Sequence, residues 1–182
     1  QKLPHVKRQK KREKEKTMED FKVLLVDDEE DFVKSLSERL EMRDMKSGMA
    51  FNGEQALEAI KKEEPSVILL DLKMPGMDGL EVLRLVKKER PDIQVIILTG
   101  HGSDKDEERA RHLGAFDYLQ KPVNMDRLMK SLKGAHTKFK KSQHNVDTLL
   151  MGAAMAQAGE PELAKKMMKE RMSEEDNASK KK

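Results

Sequence analysis

The chain has 182 residues, 39% of them charged and 36% apolar, with a net charge of +3 and no cysteine. Without cysteine there can be no disulfide, no Cys-ligated zinc and no thiol chemistry, and the apolar runs are far too short to cross a bilayer. The length suits one domain with extensions, and the near-neutral average conceals three zones, +5 over residues 1–19, −5 over 20–135 and +3 over 136–182.

Residues 1–19 have few apolar positions and no period, so a basic, flexible leader is expected. Val23, Leu24, Leu25 and Val26 then form a continuous apolar run, the pattern of a strand buried on both faces. Phe32, Leu36 and Leu40 share one face of a helix. Residues 46–51 predict a weaker strand, and Asn52-Gly53 turns the chain into a helix with Ala56, Leu57 and Ile60 that stops before Pro65. Val67–Leu70 is the second buried run. Pro75-Gly76 and Asp78-Gly79 punctuate the entry to a helix carrying Leu80, Leu83 and Val86. Residues 95–98 predict a third buried strand, and 104–113 a helix with few apolar positions that should be loosely held. Residues 116–119 predict a short strand, and Met125, Leu128, Met129 and Leu132 the last helix of the series. After Ala135 the pattern changes to a polar linker over 136–145 and an Ala-, Met- and Leu-rich segment over 146–158. Gly159-Glu160-Pro161 breaks that segment, and a second short helical pattern over 163–172 precedes a polar tail, so a small helical hairpin is expected, either a methionine-rich binding face or a helix that packs back on the domain or extends its last helix.

Five alternating strand–helix units imply a parallel sheet covered on both faces, joined by right-handed crossovers. The expected fold is therefore α/β, a flavodoxin-like doubly wound five-stranded parallel sheet in the order 2-1-3-4-5. The weak 46–51 strand belongs at an edge, and a short C-terminal helical extension follows. The domain reading is a leader at 1–19, a folded domain at 20–135, and a linker, hairpin and tail at 136–182.

The polar groups fall where such a sheet gathers them. Asp27-Asp28 directly follows the first apolar run, Asp71 the second and Thr99 the third, and Lys121 comes two residues after the last strand core. The carboxyl ends of parallel strands converge on one edge, where ligands bind. Three carboxylates, a hydroxyl and an ammonium should meet there. Clustered carboxylates repel, and a hard divalent cation with oxygen ligands relieves the repulsion; Mg²⁺ suits a site with few carboxylates, waters and a phosphate oxygen. A carboxylate flanked by such a cation, an ammonium and a hydroxyl is set up to receive a phosphoryl group.

Asp27-Asp28, the stretch from Asp71 through Pro75 to Gly79, Thr99-Gly100, and the stretch from Gly114 through Tyr118 to Lys121-Pro122 resemble the receiver domain of bacterial two-component response regulators, over residues 20–135. The resemblance implies that Asp71 is the phosphoacceptor, taking its group from a sensor histidine kinase or a phosphotransfer protein. It implies that Asp28, Asp71 and the Lys73 backbone carbonyl ligate Mg²⁺, with Asp27 acting mainly through a metal-bound water. It implies that Thr99 and Lys121 contact phosphoryl oxygens, that Lys121-Pro122 is a cis peptide, and that Tyr118 turns inward with Thr99 as a switch. The resemblance also makes Lys73 and His101 the candidates to tune the lifetime of the acyl phosphate. The implied output face is the 104–135 region.

The expected function is a phosphorylation-controlled protein-interaction switch or phosphorelay intermediate in the cytoplasm, with no recognisable output domain. It is an enzyme only in assisting its own phosphorylation and dephosphorylation. A downstream protein would dock on the 104–135 face or the C-terminal helices, a phosphorylation-dependent homodimer is compatible, and neither DNA binding nor membrane insertion is expected. Two other readings stay open, a constitutive binding module on the same fold and a transcription regulator with a minimal DNA-binding tail. His5, His112, His136 and His144 are expected to be solvated.

Overall fold

A computed structural model describes residues 21–157 together with Gly159, Glu162, Lys165, Lys166 and Lys169. The basic leader lies outside the described residues, as do the polar tail and most of the 163–172 segment. The elements alternate as β1 (Lys22–Val26), α1 (Glu30–Glu41), β2 (Lys46–Ala50), α2 (Gly53–Glu63), β3 (Val67–Leu70), α3 (Gly79–Glu89), β4 (Gln94–Thr99), α4 (Asp104–His112), β5 (Asp117–Gln120) and α5 (Met125–Gln157). All pairings are parallel and the sheet order is β2-β1-β3-β4-β5, as the strand–helix alternation predicted.

Successive strand side chains point to opposite faces, and the continuous apolar runs feed two cores in this way. Leu24, Val26, Ile68, Leu70, Val95 and Ile97 pack with Ala56 and Ile60 of α2, Val82, Leu83 and Val86 of α3, and Ala110 of α4. Val23, Leu25, Val67, Leu69, Ile96 and Leu98 pack on the other face with Val33, Leu36 and Leu40 of α1 and Met125, Leu128, Leu132 and Ala135 of α5. The β2 strand is only partly covered, which suits its edge position.

Helix starts follow their capping residues. Asn52 caps α2 through a hydrogen bond from Gln55 N–H, and Asp78 caps α3 through one from Leu80 N–H. Ser103 and Asp106 cap α4 reciprocally. Glu29 caps α1 without any side-chain bond to the helix.

The last helix departs from the expectation. The linker expected at 136 is not there, and the alternative of an extended last helix holds, since α5 runs unbroken to Gln157. The 136–145 stretch is polar, yet it contains no proline, and its Lys and Gln residues are good helix formers. The break comes at Gly159, whose φ of +83° is the left-handed conformation that glycine adopts most readily. His136 also departs from the solvated reading: it is partly buried, its ring stacks on Phe21 at 4.2 Å, and its Nδ1 lies 3.2 Å from Ser66 Oγ.

The chain divides into two units, Gln1–Phe139 and Lys140–Lys182. In the second, Val146, Leu149, Leu150 and Met151 are exposed, and Lys165 pairs with Glu162 at 3.1 Å. Among the described residues no helix is long and apolar enough to cross a membrane.

Candidate functional site

Strand register brings the predicted residues together. Val26 stands opposite Leu70 across β1 and β3, so Asp27 and Asp71 leave neighbouring strands side by side. Two backbone bonds extend the ladder past the strands, from Asp27 N–H to Ala50 O at 3.2 Å and from Asp71 N–H to Val26 O at 2.9 Å. Thr99 pairs with Gln120 in β4 and β5, and Lys121 N–H donates to Thr99 O at 2.9 Å. The Lys121-Pro122 peptide is cis. Asp27 and Asp71 are buried to 4% and 6% exposure and Thr99 completely, whereas Asp28 is exposed.

Lys121 is the best-held group of the site. Its Nζ lies 2.6 Å from Asp27 Oδ2 and 2.9 Å from Glu29 Oε1, and 4.2 Å from the centre of the Phe32 ring, within reach of a cation–π attraction. Burial works against its charge, but the bonds to Asp27 and Glu29 outweigh burial and hold the ammonium above its ordinary range. Burial likewise pushes the Asp27 carboxyl up, and the bonds from Lys121 and from Glu29 N–H return only part of the shift. The hydrogen bond from Lys121 holds Glu29 below its ordinary range, with a smaller contribution from the nearby His101.

Asp71 Oδ2 accepts from Lys73 N–H at 3.1 Å. The Lys73 side chain points elsewhere, 3.9 Å from Asp106 at the start of α4. His101 is exposed, and its backbone N–H donates to Thr99 Oγ1 at 3.4 Å. Tyr118 is turned inward and 8% exposed, and its hydroxyl is buried without a hydrogen-bond partner among the described residues. Gly102 makes room for it. A Cβ at position 102 would overlap the Tyr118 hydroxyl and sit 3.0 Å from Thr99 Cγ2. Gly79 plays a similar part behind Asp71, since a Cβ there would overlap the Asp71 carbonyl and sit 2.8 Å from Leu72 Cα.

One carboxylate oxygen from each of Asp27, Asp28 and Asp71 can be chosen so that all three lie within 4.8 Å of one another. Three clustered anionic oxygens without nitrogen or sulfur donors form the ligand set of a hard cation, so the residues present fit the divalent ion that the sequence implied.

The structure thus gathers Asp27, Asp28, Asp71, Thr99 and Lys121 at one edge, with Lys73, His101 and Tyr118 around them. Sequence reasoning missed Glu29, Phe32 and Gly102. Glu29 read as part of an acidic helix start, Phe32 as a core position of α1, and Gly102 as loop. The Asp-Asp-Glu run was the available hint, because glutamate is a weak helix cap.

Comparison with known proteins identifies the family and the fold. The family described as "Response regulator receiver domain" matches residues 23–133. Sporulation initiation phosphotransferase F of Bacillus subtilis is 36% identical over 112 residues, which span 62% of this chain and 90% of that protein. A putative response regulator NtrX-like of Rickettsia bellii is 38% identical over 127 residues, 69% of this chain, but these are 27% of that protein. Among solved structures, a CheY-like response regulator receiver domain protein from Methanospirillum hungatei JF-1 superposes with a TM-score of 0.64 at 30% identity, covering 67% of this chain and 98% of that one. NtrX from Brucella abortus, in complex with ATP, gives 0.65 at 31% identity over 71% of this chain and 30% of its own.

Proposed function

Because the chain belongs to the response regulator receiver family, we propose that Asp71 accepts a phosphoryl group from the phosphohistidine of a sensor histidine kinase or phosphotransfer protein. One Asp71 oxygen attacks phosphorus and forms the acyl phosphate. The P–N bond breaks, its electron pair stays on the imidazole nitrogen, and that nitrogen takes a proton from solvent. Thr99 and Lys121 would contact oxygens of the transferred group, so the protein contributes positioning and charge rather than a separate nucleophile or base. Asp27, Asp28 and Asp71, with the Lys73 carbonyl, would hold Mg²⁺, which when bound supplies positive charge against the clustered carboxylates and the phosphoryl oxygens.

The observation that carries this reading is the burial of Asp71 at 6% exposure, one oxygen from Asp27 and Asp28 within 4.8 Å, beside strand ends bearing Thr99 and Lys121. The inward Tyr118 and the buried Thr99 would form the switch, and α4, β5 and the first turns of α5 the face that a downstream protein reads. Lys73 and His101 would tune the acyl-phosphate lifetime. A cytoplasmic location goes with this chemistry.

Incubation of the purified chain with Mg²⁺ and acetyl phosphate, followed by intact-mass measurement, tests it. One phosphoryl adduct is expected, lost in Asp71→Ala. No adduct, or an adduct that survives Asp71→Ala, defeats the reading and favours a constitutive binding module.

A further inference from the structure

Glu29 sits where a helix cap is needed and does not cap. It is the N-cap residue of α1, its carbonyl accepts Val33 N–H at 3.0 Å, and its backbone N–H donates to Asp27 Oδ1 at 3.0 Å. Its side chain makes no bond to the helix. Aspartate, asparagine, serine or threonine there would satisfy an orphan N–H. The longer glutamate reaches across the mouth of the site to Lys121 Nζ at 2.9 Å.

A count of donors shows what this contact does. An ammonium has three N–H groups. One faces Asp27 at 2.6 Å and one faces Glu29 at 2.9 Å, while the cation lies 4.2 Å from the Phe32 ring centre. Both contacts draw the ammonium toward the Asp27 and Glu29 side, so a phosphoryl group on Asp71 competes with them for its position. Asp27 is a poor partner to abandon, because its side chain is 6% exposed and an unpaired buried carboxylate is expensive. The Glu29 side chain is 67% exposed, and water can take over its hydrogen bonds. Glu29 is therefore the contact that yields.

We infer that Glu29 is a positioning residue that holds Lys121 back from the acceptor in the unphosphorylated chain, competing with the incoming phosphoryl group for the ammonium. This rests on the phosphoacceptor reading of Asp71. Glu29 touches neither the acceptor nor the transferred group; it acts through Lys121. Its removal should ease phosphorylation by the worth of an exposed ion pair, about 1.5- to 5-fold.

The test uses the full chain, Mg²⁺ and acetyl phosphate at low ionic strength, with the initial rate of adduct formation read by intact mass. Glu29→Gln, which keeps shape and removes charge, is expected to be faster by that factor, with the gap closing as salt is added. Glu30→Gln is the control. It removes the same charge one position along, from a carboxylate paired with Lys34 at 2.9 Å rather than with Lys121, and should react at the wild-type rate. An unchanged or slower Glu29→Gln, or an equal acceleration in Glu30→Gln, overturns the inference. A second readout needs no phosphoryl transfer: trace acetic anhydride labelling of Lys121, read by peptide mass, should rise in Glu29→Gln and not in Glu30→Gln. If the wild type takes no phosphoryl group while this labelling rises, the hold on Lys121 stands and the phosphoacceptor reading falls. If the wild type is phosphorylated and the labelling does not change, the hold alone falls.

Discussion

Tyr118 has its hydroxyl unmet among the described residues, pressed toward the space that Gly102 leaves open. A buried hydroxyl without a partner costs about 1–3 kcal/mol, so the inward seat is under tension. Tyr118→Phe keeps the ring and removes the unmet group, and it should raise unfolding stability by about 1 kcal/mol, read from the urea midpoint. Lys87 gives a second prediction at this scale. Its Nζ donates to Ile93 O at 2.6 Å, and burial, aided by the neighbouring Lys138, pushes its pKa down from 10.5 to about 8. Between those values the unfolded chain binds a proton that the folded chain does not, so this group makes stability rise with pH across the interval. Lys87→Met should remove that rise, leaving a flatter midpoint from pH 8 to 10.5 than the wild type shows.

Among the elements, α4 is the one held most by its ends. Its only buried residue is Ala110, and the Ser103–Asp106 capping box fixes its start. Ser103→Ala should weaken the helix by about 1 kcal/mol, visible as faster amide exchange over residues 104–112 with α1 and α3 unchanged. The same contrast explains which elements could be read from sequence. Strands β1, β3 and β4 are apolar on both faces, so no tertiary information was needed to find them. α4 was recognisable as a weak helix because its single apolar stripe is nearly empty. The extent of α5 was not recognisable, since 136–145, Phe139 apart, has polar residues, three of them lysines, where a core stripe would be. The site showed the same division. Asp27, Asp28, Asp71, Thr99 and Lys121 were legible because each follows a strand signal, whereas Glu29, Phe32 and Gly102 became visible only once the Lys121 and Tyr118 side chains had directions.

At the scale of the whole molecule, the compact unit that holds the sheet runs along α5 to Phe139, four residues past the boundary expected at 135. His136 stacks on Phe21, and Phe139 packs against the core beside α2, α3 and α4. A chain ending at Phe139 should keep the unfolding midpoint of the receiver. One ending at Ala135 should lose about 1–3 kcal/mol, measured by thermal unfolding with far-ultraviolet circular dichroism. Equal stability of the two would return the boundary to 135. The inward seat of Tyr118 has one more consequence. The chain has one tyrosine and no tryptophan, so nearly all of its intrinsic fluorescence comes from a single ring, whose hydroxyl lies against Gly102 in the loop between β4 and α4. Emission and iodide quenching of the unlabelled protein therefore report the orientation of that one side chain, and a movement of Tyr118 can be followed in real time without attaching a dye.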